Sequence, residues 1–426
     1  MTTGGIDAEE VAGQVGISDV RLASEADAVM GVVPSVVATP GNIKEVSRLL
    51  AWANGRGLKV VPCGARTKLD RGNAPAGCDI LLQLGNLSRI VEHAAGDMTV
   101  TAQAGVRLSD LQGVLAGAGQ FLAIDPPVPG TVGGLVATGD SGPRRIRYGG
   151  VRDLILGVTF VRADGVVAKG GGKVVKNVAG YDLPKLLTGS LGTLGVIVEA
   201  TFRLYPLASA SATVVSQGMP VTDAGKVAAS ILNSTLVPTG IDYFSDSDRA
   251  EAVLAVRFEG SPGSVGAQAE RVAEMMGIGR AQTLVGEEEV ALWRQFDTIA
   301  HTTEEGTVLA RLIAPVTELP GLVGIAQKAA GEASMQLSVR AHMGHGHALL
   351  RWHEPSTSEA VRLLRDLRRQ AEACGSNLVV WRAPAEVRSQ VDAWGDAGEG
   401  VGLMRRIKAQ FDPNGTLNPG RFVGGI

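Results

Sequence analysis

A chain of 426 residues is too long for one ordinary core, and its 45% hydrophobic and 19% charged residues exclude wholesale disorder, so two or three soluble domains are expected. Forty basic residues against 43 acidic ones leave a net charge of −3, which removes any global pull toward nucleic acid. No apolar run reaches the ~18 residues of a membrane-spanning helix, and residues 1–30 show neither a basic start nor a long apolar stretch, so no signal peptide is read there. Cys63, Cys78 and Cys374 are widely spaced without C-x-x-C pairing, which points to a reducing, cytoplasmic setting and gives no basis for a zinc or iron–sulfur site.

In chain order, "SVVATPGNIKEVSRLLAWANGRGLKVVPCG" reads as strand, turn, helix and strand, with Val46, Leu49, Leu50 and Ala53 at helical spacing. "CDILLQLGNLSRIVEH" and "DMTVTAQAGVRLSDLQGVLAGAG" continue as strands, then a helix opened by Ser109 and Asp110. "LILGVTFVRADGVVAKGG" is a hairpin, and "TLGVIVEATFRLYPL" a long strand ending at Pro206. The second half runs strand, helix, two strands, helix, and then repeats that order, with a final strand at "NLVVWRAP". Two ferredoxin-like halves sharing one antiparallel sheet, with helices on one face, are expected. The tail is an amphipathic helix and an Asp-Pro-Asn-Gly turn, expected to fold back on the first domain. The boundaries read are an N-terminal extension 1–34, a first domain 35–208, a second 209–385 and a returning segment 386–426.

The 57 glycines cluster in the first half. No G-x-G-x-x-G opens a helix after a strand, which argues against a Rossmann site. "GLVATGDS" has P-loop glycine spacing, but Asp140 stands where the phosphate-binding lysine belongs, so nucleotide-triphosphate hydrolysis is rejected. Three glycine-bearing loops remain. "VVPCGARTKLD" offers backbone N–H groups and two cations to a diphosphate, "DPPVPGTVGGLVATGDSG" exposes backbone at Gly133 and Gly134, and "GSLGTLGVI" spaces Gly189, Gly192 and Gly195 by three.

The order of those loops, with "VKNVAGYDLPKLLTGSLGTLGVI" and the terminal "FDPNGTLNPGRF", resembles the vanillyl-alcohol oxidase/p-cresol methylhydroxylase superfamily of FAD proteins. Within it, "GGKVVKNVAGYDLPKLLTGSLGTLG" is most similar to the FAD-binding E subunit of glycolate oxidase. The resemblance implies an α+β fold: a two-subdomain FAD-binding domain of the p-cresol methylhydroxylase type and a cap domain built on a large antiparallel sheet. Carried over by position, Cys63, Gly64, Ala65, Arg66, Thr67 and Lys68 would face the pyrophosphate. Thr131, Val132, Gly133 and Gly134 would line the flavin and ribityl chain, followed by Thr138 and Ser141. Gly192, Gly195, Val196 and Ile197 would meet the adenine or ribose side, and Asn418 would approach the ring, although a plain C-terminal turn explains Asn418 and Gly420 equally well. The first loop has no histidine and the second no cysteine for covalent attachment, so non-covalent FAD is expected.

Relatives that oxidise 2-hydroxy acids carry a basic residue and a Thr or Ser around "VKNVAGYDL", where this chain has Val175 and Ala179. Against their His-x-Gly-Asp-Gly-Asn-x-His metal segment this chain has "HMGHGHAL". His342 matches the first ligand, while His345, His347 and Leu349 replace the rest, and no Glu-His-Gly follows. The residues favour a hairpin whose Gly344 and Gly346 matter more than its imidazoles, with His345 and His347 on one strand face, His353 on the same face further along the next strand, and no metal. A rebuilt metal or proton site on His342, His345 and His347 is the alternative. Tyr181 and His342 are the candidate catalytic residues, although Gly180 and Pro184 frame Tyr181 as a structural corner. Arg144, Arg145 and Arg147 read as a solvated face or a partner contact. With the usual acid–base set largely gone, the expected role is an FAD-binding subunit of a glycolate-oxidising complex, relaying electrons beside a catalytic FAD subunit and an iron–sulfur subunit, in the cytoplasm or on the inner face of the membrane through those partners. A self-sufficient 2-hydroxy-acid dehydrogenase and a structural subunit without redox activity are the alternatives.

Overall fold

The computed structural model describes residues 6–173, 180–246, 251–277, 279–301 and 306–426. The first half runs Ala8–Val15 (α1), Val20–Leu22 (β1), Val36–Ala38 (β2), Ile43–Gly55 (α2), Val60–Cys63 (β3), Ile80–Gln83 (β4), Ile90–Ala94 (β5), Thr99–Gln103 (β6) and Leu108–Ala116 (α3). It continues through Gln120–Phe121 (β7), Val132–Thr138 (α4), Arg145–Tyr148 (α5), Val151–Leu154 (α6), Ile155–Val161 (β8), Val167–Gly171 (β9), Leu183–Leu187 (α7), Val196–Arg203 (β10) and Tyr205–Pro206 (β11). Two sheets result. One has the order β1-β2-β4-β3, with β2, β4 and β3 parallel; the other is antiparallel, β5-β6-β10-β8-β9.

Local chemistry sets these elements. Asn42 caps α2 by accepting from the Glu45 N–H, Glu45 reaches back to the Gly41 N–H, and the apolar stripe Val46, Leu49, Leu50 and Ala53 is fully buried, as the sequence spacing requires. Helix α3 starts at Leu108, a residue ahead of the predicted Ser109–Asp110 opening. The Leu108 N–H is taken by the Gly130 carbonyl and Arg107 bridges to Thr131, so a tertiary contact, not a side-chain cap, decides where the helix begins.

The second half comprises Ala210–Gln217 (β12), Val221–Leu232 (α8), Gly240–Ser245 (β13), Val253–Gly260 (β14), Pro262–Met276 (α9), Ala281–Leu284 (β15), Gly286–Asp297 (α10), Val308–Ile313 (β16), Leu319–Glu332 (α11), Leu337–His342 (β17), His347–Trp352 (β18), Thr357–Ala373 (α12), Asn377–Arg382 (β19) and Ala385–Arg388 (α13). Its strands form one sheet of eight in the order β15-β12-β14-β13-β17-β18-β16-β19, antiparallel throughout. Each half has the ferredoxin-like order, and the halves join at β13 and β17. Alternate residues such as Val214, Ile241, Leu254, Val339, Ala341 and Leu350 bury the face under α8, α9, α11 and α12.

The expectation that all helices cover one face is corrected by α10, which the sequence reading missed together with β15. Trp293 and Phe296 of α10 pack on Val215, Phe244, Val253 and Ala255, on the opposite face. The acid-rich opening "GEEEV" hides a helix whose apolar content lies in its last turns, and "AQTL" is too short and polar to announce a strand.

Finally, Val401–Phe411 (α14) leads into a segment that runs parallel beside β3: the Val60 N–H donates to the Thr416 carbonyl at 2.8 Å and the Asn418 N–H to the Val60 carbonyl at 3.0 Å. Among the described residues, no helix is long and apolar enough to cross a membrane.

A two-chambered cleft facing a charged sheet

Three loops meet where β3, α4 and β10 converge. A cleft of about 520 Å³ is lined by Cys63, Gly64, Ala65, Arg66, Thr67 and Lys68 after β3, by Thr131, Gly134 and Thr138 around α4, and by Leu191, Asn418 and Arg421. An adjoining chamber of about 390 Å³ shares Cys63, Gly64, Thr131, Gly134 and Leu191, and adds Gly133, Gly192, Gly195, Val196 and Ile197. The structure thus brings together every sequence-predicted cofactor residue except two. Val132 is fully buried in the core beneath the five-stranded sheet, and Ser141 sits outside the cleft, its hydroxyl accepting from Arg145 at 3.4 Å.

Close approach explains the glycines. A Cβ on Gly64 would stand 2.1 Å from Thr131 Oγ1, so the first two loops can touch only through bare backbone. Gly192, at φ 72°, lies against Pro62 and Asn418. Gly133 and Gly195 are bare because Ala104 and Phe160 press on them, a packing requirement.

The two cations expected to face a diphosphate are engaged elsewhere. Arg66 donates to Asp27 and to Gln83, both at 2.9 Å, and Lys68 Nζ lies 3.2 Å from Asp140 Oδ2. What the loop offers is backbone: among the described residues the N–H groups of Ala65, Arg66 and Thr67 have no backbone acceptor, and Arg66 itself takes the left-handed conformation at φ 60°. One chamber walled by free N–H groups and another walled by Leu191, Val196 and Ile197 suit a dinucleotide with a charged diphosphate and flat rings, so the residues fit FAD. Cys63 is no nucleophile: burial pushes its thiol up to about 11. Arg421 escaped the sequence reading. It donates to the Leu69 and Arg71 carbonyls at 2.6 and 2.7 Å, clamping the first loop from the tail; its position just past "LNPG" was the available signal.

Beyond Lys68 the cleft borders the second domain. Asp140 is wedged among Lys68, Arg71 and Arg311; burial works against its ionisation, yet these cations hold its carboxyl at about 2. Arg71 stacks on Trp381, 3.1 Å from the ring centroid. Arg311, brought down to about 10 by burial, donates to His347 Nδ1 at 2.6 Å. Arg144 pairs with Glu259 at 2.6 Å and Arg257 with Asp125 at 3.3 Å, so Arg144 is part of a domain interface and not of a solvated face. The side of the large sheet opposite α8, α9, α11 and α12 therefore carries buried charges such as Arg257, Arg311, Arg340 and Asp242 beside the apolar cluster under α10.

His342 and His347 are cross-strand partners on that side, and His345 sits in the turn between them, not on a strand. Gly346 lies 2.0 Å, measured to an added Cβ, from the Ala314 carbonyl, and Gly344 lies against Ile146. His342 and His345 stack at 4.8 Å, and His345 meets His347 edge-on at 4.8 Å. Among the described residues no three His, Cys, Asp or Glu side chains are arranged to hold a metal ion. Asp242, fully buried, accepts from His342 Nδ1 and from Arg340 Nε, both at 2.8 Å. Burial favours its neutral form, but His342 and Arg340 outweigh that and hold its carboxyl well below the usual carboxylate range. Tyr181 is 91% exposed and lines neither chamber. Val175 and Ala179 lie outside the described residues.

Residues 34–171 match the family model of the FAD binding domain, and residues 395–422 that of the C-terminal domain of FAD linked oxidases. The chain is 26% identical to glycolate oxidase subunit GlcD of Bacillus subtilis, over 92% of this chain and 89% of that one. It is 32% identical to glycolate oxidase subunit GlcE of Escherichia coli, over 78% and 84%. Among solved structures, an alkyldihydroxyacetonephosphate synthase superposes with a TM-score of 0.69 at 16% identity, over 92% of this chain and 78% of that one, which is a likeness of fold. The first two cleft loops and the returning segment with Asn418 and Arg421 lie within the residues those family models match; the chain belongs to the FAD-linked oxidase family and its cofactor is FAD.

Proposed function

We propose that this chain oxidises a small 2-hydroxy acid, glycolate first among candidates, and does so as the FAD-binding subunit of an assembly that includes a second flavoprotein and an iron–sulfur subunit. A multi-subunit assembly is supported by the likeness to GlcE and GlcD, whose names make them glycolate oxidase subunits; the iron–sulfur partner and a place at the cytoplasmic side of a membrane belong to this proposal alone. The observation that carries the oxidation itself is the group of buried charges on the large sheet that borders the cofactor cleft through Lys68, Asp140 and Arg311. An anionic substrate needs a buried cation, and among the described residues Arg311 has the neutral imidazole of His347 as its hydrogen-bonded neighbour; burial and Arg311 keep that ring uncharged. Arg145 adds a second guanidinium near His345.

FAD supplies a two-electron acceptor. The chain's residues do the rest: Arg311 and Arg145 bind and orient a carboxylate, the interface between the domains excludes water, and His342 offers a ring nitrogen to the substrate hydroxyl. A second reading follows from the loss of the relatives' metal segment: the hydroxy acid is oxidised on a partner and this flavin passes electrons on. The visible spectrum of the purified chain under anaerobic glycolate separates the two. A bleached flavin band supports oxidation on this chain; a band that stays oxidised until partner subunits are added supports the relay.

A further inference from the structure

We propose that Asp242 is a positioning carboxylate that makes His342 a metal-independent proton acceptor for the substrate hydroxyl. The inference rests on the reading that the hydroxy acid is oxidised on this chain. Asp242 and His342 stand directly opposite each other in the antiparallel ladder of β13 and β17. Both carboxylate oxygens are engaged: Oδ1 accepts from His342 Nδ1 and Oδ2 from Arg340 Nε, at 2.8 Å each. Arg340 is in turn anchored to Asp297 at the end of α10.

An ionised carboxylate only accepts, so the hydrogen of the neutral ring must lie on Nδ1 and the lone pair on Nε2. Among the described residues, Nε2 has no protein partner. His345 stacks on the ring and fixes its plane. The ring lies on the sheet face opposite α8, α9, α11 and α12, with His347 as its cross-strand partner, and Arg311 and Arg145 act on His345 and His347 beside it. Three stacked and edge-on imidazoles do not converge on a common point, so the proton acceptor is the ring itself.

In the step, the hydroxyl O–H bond breaks and the Nε2–H bond forms. Bound FAD would supply the two-electron oxidant that takes the C2 hydrogen with its electron pair, so that the C2–O bond becomes the carbonyl of the 2-oxo acid. The charge that develops on His342 is stabilised by Asp242, while Arg340 keeps that carboxylate ionised and in place.

The test uses FAD-loaded protein labelled with ¹⁵N-histidine. Two-bond ¹H–¹⁵N spectra, with His342 assigned through His342→Gln, are expected to show hydrogen on Nδ1 and a bare Nε2, unchanged by EDTA. Asp242→Asn is expected to shift the hydrogen toward Nε2, because its amide can donate to Nδ1. Anaerobic flavin reduction by glycolate is expected to slow by about 10²–10³-fold at saturation in Asp242→Asn, with half-saturation changed by only a few-fold, and Asp242→Glu to recover part of the rate. A wild-type His342 protonated on Nε2, or a rate abolished by EDTA, overturns the inference without any variant. Reduction that proceeds in wild type and is unimpaired in Asp242→Asn overturns it while leaving the parent reading intact. A wild-type flavin that glycolate never bleaches removes the parent reading, and the inference with it.

Discussion

Asn418 donates through Nδ2 to the Leu191 carbonyl at 2.5 Å, joining the returning C-terminal segment to the third glycine-bearing loop in the wall of the cleft. Both residues hold left-handed backbone, at φ 46° and 50°, which an amide side chain tolerates better than most. Asn418→Ala is expected to lose a bond worth about 1 kcal/mol and to strain the turn, weakening FAD binding roughly tenfold by flavin fluorescence titration. Asn418→Gly relieves the strain but not the lost bond and should fall between the two; a Kd equal to wild type in both would show that the tail does not shape the cleft.

Gly64 and Thr131 set the closest approach between the first two loops. Gly64→Ala is expected to cost about 1–3 kcal/mol by overpacking, visible as a lower Tm and a lower flavin-to-protein ratio. Adding Thr131→Ala removes the atom at 2.1 Å and should restore part of the loss, a non-additive pair. Simple additivity of the two substitutions would contradict the contact.

Asp140 links acid stability to the domain interface. Its folded carboxyl is held at about 2, below an ordinary value near 3.9, so its stabilisation is fully present above pH ~4 and is lost as pH falls toward 2. Glu259, held at about 2 mainly through Arg144 against the opposing effect of burial, acts in the same window. Asp140→Asn leaves Lys68 and Arg71 without their buried partner and is expected to destabilise by roughly 3–5 kcal/mol at neutral pH, while its Tm falls less than that of wild type between pH 4 and 2. Parallel Tm curves for the two proteins would exclude Asp140 as the titrating group.

The cysteines report on burial and on the attachment of FAD. Burial pushes Cys63 up to about 11 and Cys78 up to about 12, whereas Cys374 is partly exposed. Iodoacetamide at pH 7.5 should label Cys374 alone in the folded protein and all three cysteines after unfolding in guanidinium. Acid precipitation should release the FAD, and the polypeptide mass should carry no flavin; a flavin-sized increment on the peptide containing Cys63 would refute non-covalent binding.

Much of this architecture was legible in the residues because its signals are local and periodic. The apolar stripe of α2, the repeated strand and helix order of the two ferredoxin-like halves, and the three glycine-bearing loops each lie within a short window, where side-chain spacing reports which face is buried. The cleft followed from the loops because glycine at Gly64 and Gly192 marks backbone that must approach something closely. The reading failed where a side chain's partner is far away in sequence. Arg66 and Lys68 look like free cations until Asp27 and Asp140 are seen beside them, and Tyr181 looks like a catalytic phenol until it is seen in solvent.

By itself, the sequence determined the α+β fold and the glycine-bearing loops that meet at the cleft, since those depend on pattern and on glycine at fixed offsets. Only the tertiary structure decided what the charges do. Asp242 and His342 meet across a strand pair that joins the two halves of the sheet, and Asp140 meets Arg311 across two domains. A buried charge is stable only with its partners, and those partners are chosen by register and docking, which no local window contains.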